Sequence, residues 1–303
     1  MSAFTPAETA ACCRLIEMAL HEDFGPCPWP VFGVRDLTTA LFCSPQCYDG
    51  AAAFVARSNG IVAGLPATAL VCNALDSQLC FEPALQDGQT IQPGTVLASV
   101  RGPRSSILGA ERTALNFLQY LSGIATLTHR FAHAVVDLSV KILDTRKTIP
   151  GWRSLAKYAV RQGGGHNHRM GLYDGILIKD NHLAFASEDL KQLGIAAVIN
   201  RARKPVAGGV LVEIEVESLA QLDEVLPAEP DIVLLDNMTL EQMREAAKRR
   251  NTLAPRVLLE ASGGVTLQTV RAIAETGVDR ISVGALTHSA PALDIALDYR
   301  HGR

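Results

Sequence analysis

Residues 210–264 read VLVEIEVESLAQLDEVLPAEPDIVLLDNMTLEQMREAAKRRNTLAPRVLLEASGG. Three short apolar runs, VLVEIEVE, DIVLLDN and RVLLEASGG, are separated by two stretches of helical composition, LAQLDEVL and LEQMREAAKRR. Strand and helix alternating in this way predict parallel strands joined by right-handed crossovers. Continuous apolar strands, rather than alternating ones, fit a parallel sheet covered on its faces. The pattern extends outward to VKILDTRK (140–147), GILIKDN (175–181) and RISVGALTHS (280–289). SLAKYAVRQ, EDLKQLGIAAVINRARK and LQTVRAIAET are the further helical stretches. Each run ends in groups suited to chemistry: Asp144, Arg146 and Lys147; Lys179; Glu215; Asp236; Glu260 and Ser262; Gly284. Functional groups at the C-terminal ends of successive parallel strands characterise (β/α) barrels. A doubly wound sheet would gather them at one switch point. Six runs are fewer than eight strands, so the expected fold is α/β with an incomplete parallel (β/α) barrel.

The first third has a different texture. Residues 7–20 are expected as an amphipathic helix, 21–48 as irregular and rich in Pro, Cys and Gly. AAAFVAR, GIVAGL and TVLASVRG predict strands between residues 51 and 102, with a helix near 66–76. The section from Glu111 to His133 turns helical. Residues 1–115 are therefore expected as a small α/β domain and 116–289 as the barrel, with 290–303 packing back on the first domain. Of the 303 residues, 48% are hydrophobic, ample for a large core, and the formal charge is −3. That charge gives no reason to expect nucleic acid or an anionic membrane as a general partner. The start MSAFTPAETAACC lacks a signal-peptide pattern, and no apolar run nears the ~18 residues that cross a bilayer. The expected location is cytoplasmic. Seven cysteines (12, 13, 27, 43, 47, 72 and 80), odd in number and without C-x-x-C, predict reduced thiols, and Cys43 with Cys47 falls short of a zinc ligand set.

The densest candidate site is DTRKTIPGWRSLAKYAVRQGGGHNHRMGLYDGILIKDNH, residues 144–182. Arg153, Lys157 and Arg161 read as a solvated helix face. Arg146, Lys147 and Lys179 stand at strand ends, where fixed cations imply an anionic ligand and Arg suits bidentate carboxylate or phosphate binding. Gly163, Gly164 and Gly165 permit close backbone approach before His168 and Arg169, or they simply stop a helix. Glu215 and Asp236 end neighbouring strands, where they can hold Mg²⁺ or accept sugar hydroxyls, or form structural ion pairs. Glu213 and Glu217 share the alternation of Glu215, so the pattern alone does not select among them. Ser262-Gly263-Gly264 and Val283-Gly284 end the last two strands, where barrels often bind phosphate through backbone N–H groups.

DTRKT-x-PG, GGG-x-NHR-x-x-LYD-x-x-LIKDNH, EVE, LLDN, ASGG and ISVGALTHS resemble the quinolinate (nicotinate-nucleotide, carboxylating) phosphoribosyltransferases. The likeness runs through nearly the whole chain, including ERTALN at 111–116. It implies an N-terminal open-faced α/β sandwich, an incomplete barrel and a homodimer. It implies that Arg146, His168, Arg169 and Lys179 bind the two carboxylates of quinolinate, with Arg112 entering from the partner and Lys147 and His182 lining the pocket. Glu215 and Asp236 would meet the ribose hydroxyls and the cofactor Mg²⁺ of phosphoribosyl pyrophosphate, with Lys147, Glu215 and Asp236 as the catalytic groups. The backbones of Ser262, Gly263 and Gly264 and of Ser282, Val283 and Gly284 would cradle the 5′-phosphate. Two segments depart from the family pattern: the stretched EDFGPCPWPVFGVRDLTT, which leaves 24–35 without a role, and the long connection 185–209. Three alternatives are a Schiff-base aldolase using Lys179, a molybdenum-locus relative, and a non-catalytic phosphoribosyl-pyrophosphate-binding regulator. Intact LIKDNH and LLDN, and a full set of cations and acids, weigh against them.

Overall fold

The computed structural model describes residues 4–25, 36–43, 50–186, 194–203 and 210–299. The chain divides into two compact units, one of Met1–His129, Thr148–Gly164 and Leu286–Arg303, the other of Arg130–Lys147 and Gly165–Ala285.

The first unit opens with helix α1 (Pro6–Phe24), started by a reciprocal cap in which Thr5 and Glu8 satisfy each other's backbone amides. Within the stretch expected to be irregular, Leu37–Phe42 forms a short helix, α2, capped by Asp36. Residues 26–35 and 44–49, with Cys27, Cys47 and most of the segment that lacked a role, lie outside the described residues. An antiparallel sheet follows, built from β1 (Gly50–Ala56), β3 (Cys80–Pro83), β5 (Val96–Gly102) and the final strand β12 (Ile295–Tyr299), in the order β12-β1-β5-β3. β2 (Gly60–Ile61) and β4 (Thr90–Ile91) form a separate two-stranded ribbon. GIVAGL thus contributes only two residues of strand, because α3 (Leu65–Leu75) begins within it. Asp87 takes the Gly64 and Leu65 amides at 2.7 and 3.1 Å, which satisfies two donors at that helix start.

Helix α4 (Arg104–Ala134) begins seven residues before the expected helical section and is continuous through residue 115, the expected domain boundary. Helix α5 (Arg153–Gln162), composed like a barrel crossover, belongs instead to the first unit. Its Tyr158 hydroxyl donates to Asp87 at 2.7 Å, and its half-exposed Arg161 pairs with the buried Glu8. The glycine triplet ends this helix. The Gly163 amide donates to Ala159 O, and a Cβ there would lie 2.3 Å from Ala125 O of α4. Gly164 takes φ +84°. The triplet is a helix stop and a packing contact, so of its two readings the structural one applies.

The second unit is a six-stranded parallel sheet of β6 (Lys141–Leu143), β7 (Ile176–Ile178), β8 (Val212–Val216), β9 (Ile232–Asp236), β10 (Leu258–Ser262) and β11 (Arg280–Ser282). Its order, β6-β11-β10-β9-β8-β7, leaves the first two strands at the two edges, which is an α/β barrel that does not close among the described residues. Residues 166–168 run beside the free edge of β6, where Leu143 bridges His166 in parallel. The strands are buried throughout their middles, with Ile142, Val212, Val233, Leu235, Leu259 and Ile281 all at 2% exposure or less. Helices α6 (Asp180–Ala184), α7 (Ile195–Arg203), α8 (Leu219–Val225), α9 (Leu240–Leu253) and α10 (Val270–Ala274) connect them, and Ala285–His288, α11, follows the last. Residues 187–193 and 204–209 of the long connection lie outside the described residues. No helix among the described residues is long and apolar enough to cross a membrane.

Candidate active site

The register of the parallel strands sets which side chains share a level. Ser262 pairs with Asp236, Ala261 with Ile281, and Ser282 with Leu143, so the C-terminal ends of β6, β9, β10 and β11 finish together. Asp144, first after β6, is fully buried and accepts the His168 amide at 2.9 Å and Asn167 Nδ2 at 2.6 Å. Those two bonds fix the turn that carries Arg169. The Arg169 Nη1 donates to Gly175 O at 2.8 Å. Burial and the neighbouring Arg146 cation pull the Arg169 guanidinium below its ordinary pKa. Neighbouring guanidinium groups repel each other, and a bound anion relieves that repulsion. Lys147 follows on the same exposed turn.

Lys179 caps β7, and its ammonium pairs with Glu215 on β8. His182 faces back onto the chain, its Nδ1 accepting the Lys179 amide at 2.9 Å. Asp236, half-buried, accepts Asn237 Nδ2 at 2.8 Å. Asn237 takes φ +53°, and a Cβ on Gly263 would lie 2.1 Å from its Oδ1. Gly263 (φ +98°) is thus the residue that lets the loop after β10 close over the end of β9. Gly264 (φ +58°) has open space on its Cβ side.

One assignment changes, and two further residues have internal partners. The Val283 amide donates to Leu143 O at 2.9 Å, so it is spent on the sheet and is no phosphate donor. Ser282 is buried at 5% exposure, with its hydroxyl 3.5 Å from Ala261 O, so its side chain faces inward. His168 is committed at both ring nitrogens. Nδ1 accepts the Arg169 amide at 2.7 Å, and Nε2 lies 3.1 Å from Glu213 Oε2 and 3.3 Å from Glu260 Oε1.

Glu213 and Glu260, which the sequence offered as a strand alternative to Glu215 and as a strand-end group without giving either a role, stand around His168. Glu213 is 3% exposed and Glu260 fully buried, and Glu260 Oε2 accepts Arg280 Nε at 2.7 Å. Burial and the nearby Glu260 push Glu213 up, against the pull of His168. His168 and Arg280 hold Glu260 down despite its burial. The available signal was a carboxylate inside each apolar run, since a buried charge requires a partner. The third member of the EIEVE alternation, Glu217, is exposed. Arg112 is exposed on α4 in the first unit and takes part in no ion pair among the described residues. Its neighbour Glu111 accepts the Tyr299 hydroxyl at 2.6 Å.

Comparison with known proteins places the chain in a family. Residues 36–122 match the model of the quinolinate phosphoribosyl transferase N-terminal domain, and 124–298 that of the C-terminal domain. A nicotinate-nucleotide pyrophosphorylase [carboxylating] of Mycobacterium leprae is 42% identical over 93% of this chain and 95% of its own length. A probable enzyme of the same name from Bacillus subtilis is 42% identical over 88% of each chain. The solved nicotinate-nucleotide pyrophosphorylase of Francisella tularensis, 37% identical, superposes with a TM-score of 0.86 over 98% of both chains. The chain belongs to the quinolinate phosphoribosyl transferase family.

Proposed function

We infer that the chain transfers the phosphoribosyl group of phosphoribosyl pyrophosphate to the ring nitrogen of quinolinate. Pyrophosphate and CO2 are released and nicotinate mononucleotide is formed. The observation that carries this reading is the placement of the Arg169 guanidinium, anchored on Gly175 O, near the Arg146 cation, a setting that suits a compact dianion. As pyrophosphate leaves C1 of the ribose, positive charge develops on the sugar, and the carboxylates of Glu215 and Asp236 stabilise it. The ring nitrogen forms the new bond to C1. The cationic ring nitrogen then stabilises the electron pair left on C2 as the 2-carboxylate departs as CO2, and a proton from solvent bonds to C2. No side chain has to be a covalent nucleophile. Arg146, Arg169 and Lys179 orient the carboxylates, Lys147 meets the pyrophosphate, and the chain's main task is to hold two anions that repel each other.

Glu215 and Asp236 supply hard oxygen donors, which suit Mg²⁺. Two carboxylates are too few for an all-protein site, so substrate oxygens and water would complete the shell. When bound, the ion supplies neutralisation of the leaving pyrophosphate. A homodimer in which Arg112 reaches the partner's site, and a cytoplasmic location, belong to the same reading. Cys12 and Cys72 are buried free thiols whose pKa burial pushes up to about 12, in keeping with a reducing compartment.

The direct test is CO2 release from quinolinate, which should require both phosphoribosyl pyrophosphate and Mg²⁺. Release without phosphoribosyl pyrophosphate would refute the reading. Nicotinate, with one carboxylate fewer, leaves a cation unpaired in the pocket, which costs on the order of 3 kcal/mol. Its kcat/KM should fall at least ~100-fold below that of quinolinate, and equal turnover would remove the basis for the arginine pair. Lys179 is expected to act as a charge. An ammonium held against Glu215 lacks the free electron pair that a Schiff base needs. Borohydride with substrate should therefore leave the mass of Lys179 unchanged, and a stable adduct would favour an aldolase.

A further inference from the structure

We propose that His168 is a neutral positioning residue rather than a ligand of the substrate. Its Nε2–H points between Glu213 and Glu260, and its Nδ1 lone pair holds the Arg169 amide. The ring thereby sets the backbone from which Arg169 reaches quinolinate, an inference that rests on the functional reading above.

Imidazole has two polar atoms, and both are used. Nδ1 accepts the Arg169 N–H at 2.7 Å, and Nε2 stands 3.1 Å from Glu213 and 3.3 Å from Glu260. No polar ring atom is left over for a carboxylate. The backbone is held just as firmly. The His168 and Asn167 donors both end on Asp144, the Asp144 amide donates to His166 O at 3.1 Å, and the His166 amide donates to Ile142 O at 2.8 Å. Residues 166–169 are thus gripped from β6, β8 and β10 together. Arg169, anchored in turn on Gly175 O, is the one long cation that leaves this grip.

Electrostatics pulls the other way. Burial disfavours a charged ring, but Glu213 and Glu260 outweigh it and push the His168 pKa up to about 9. The charged groups facing the cluster are Glu213 on β8, Glu260 on β10, Arg280 on β11, Asp144 after β6 and the Arg169 guanidinium. The extra proton would have to sit on Nδ1, where it would meet the Arg169 N–H head-on at 2.7 Å. Two donors cannot face each other there, so the held backbone and the charged ring are mutually exclusive. The same count bears on a cation. The candidate ligand atoms of His168, Glu213 and Glu260 lie within 4.8 Å of one another, but a metal would need a lone pair on Nε2. A neutral ring already accepting at Nδ1 has none there.

The test uses the full chain with ¹⁵N-labelled histidine and two-bond ¹⁵N–¹H correlation spectra at about pH 7.5, where a group of pKa about 9 would still be charged. The His168 signals are identified as those lost in His168→Gln. One protonated and one lone-pair nitrogen, in the Nε2–H form, is the expected result, whereas two protonated nitrogens or an Nδ1–H form overturns the proposal. Kinetics supplies a second arm. His168→Asn keeps an oxygen near the Nδ1 position, and His168→Ala keeps no acceptor. The Ala variant should lose about tenfold in kcat/KM for quinolinate, the worth of one buried hydrogen bond, and Asn should recover most of it. The KM for phosphoribosyl pyrophosphate should stay within about twofold. Equal losses in Asn and Ala, or losses shared by both substrates, count against a positioning role. A wild-type chain that released no CO2 would sink the functional reading alone, since the spectra would still report the ring.

Discussion

Glu260→Ala is expected to unfold at a Tm lower by roughly 10 °C, from a loss of about 3–5 kcal/mol. Glu260 is fully buried, accepts Arg280 Nε at 2.7 Å and lies 3.3 Å from His168 Nε2. Arg280 keeps only 14% of its side chain exposed. Truncating Glu260 strands that guanidinium in the barrel interior, and desolvation of the uncompensated charge dominates the loss. Glu260→Gln keeps the volume and an acceptor and should fall between the two. The contrast is Arg57→Ala, which breaks the ion pair with Asp298, where the side chains are 41% and 46% exposed. Exposed pairs contribute about 1 kcal/mol or less, so that variant should unfold within a few degrees of the parent. Calorimetry on the three variants checks the order. Equal shifts in Glu260→Ala and Arg57→Ala would mean that the buried cluster is not what holds this part of the barrel.

Periodicity made the parallel strands legible, and strand ends made the site legible, because both are properties of neighbouring residues. What stayed hidden depends on partners far away in sequence. The alternation of Glu213, Glu215 and Glu217 places all three on one side of β8, but it carries no information about depth. Depth gives Glu213 to His168 and Glu215 to Lys179, and it leaves Glu217 in solvent. Helix α5 has the composition of a crossover, yet its placement follows from Asp87 and Glu8, 71 and 153 residues away from their partners in the chain. The early start of α4 was masked by Ser105, Ser106 and Gly109, weak helix formers that packing overrides. His168 is legible as a residue of the NHR motif, but a motif identifies the residue and not where each ring nitrogen points.

Arg112→Ala should abolish activity, by more than ~100-fold in kcat/KM, while leaving the fold intact. Arg112 is exposed on α4, its neighbour Glu111 is occupied by Tyr299, and no ion pair among the described residues holds its guanidinium. An exposed, unpaired Arg costs little to remove from the folded chain, so a large kinetic effect would have to come from substrate. The resemblance of ERTALN to the family implies that Arg112 enters the site of the partner subunit, and a two-fold dimer uses such a patch twice. Lys147→Ala should also be inactive, for a different reason, because Lys147 serves the site within its own subunit. The two inactive variants, mixed under conditions that exchange subunits, then form a heterodimer in which one site carries both lesions and the other carries neither. With random exchange about half of the dimers are mixed and each holds one intact site, so about a quarter of the parental activity should return. Native mass spectrometry establishes that exchange has occurred. Exchange without recovered activity would place Arg112 outside the partner's site.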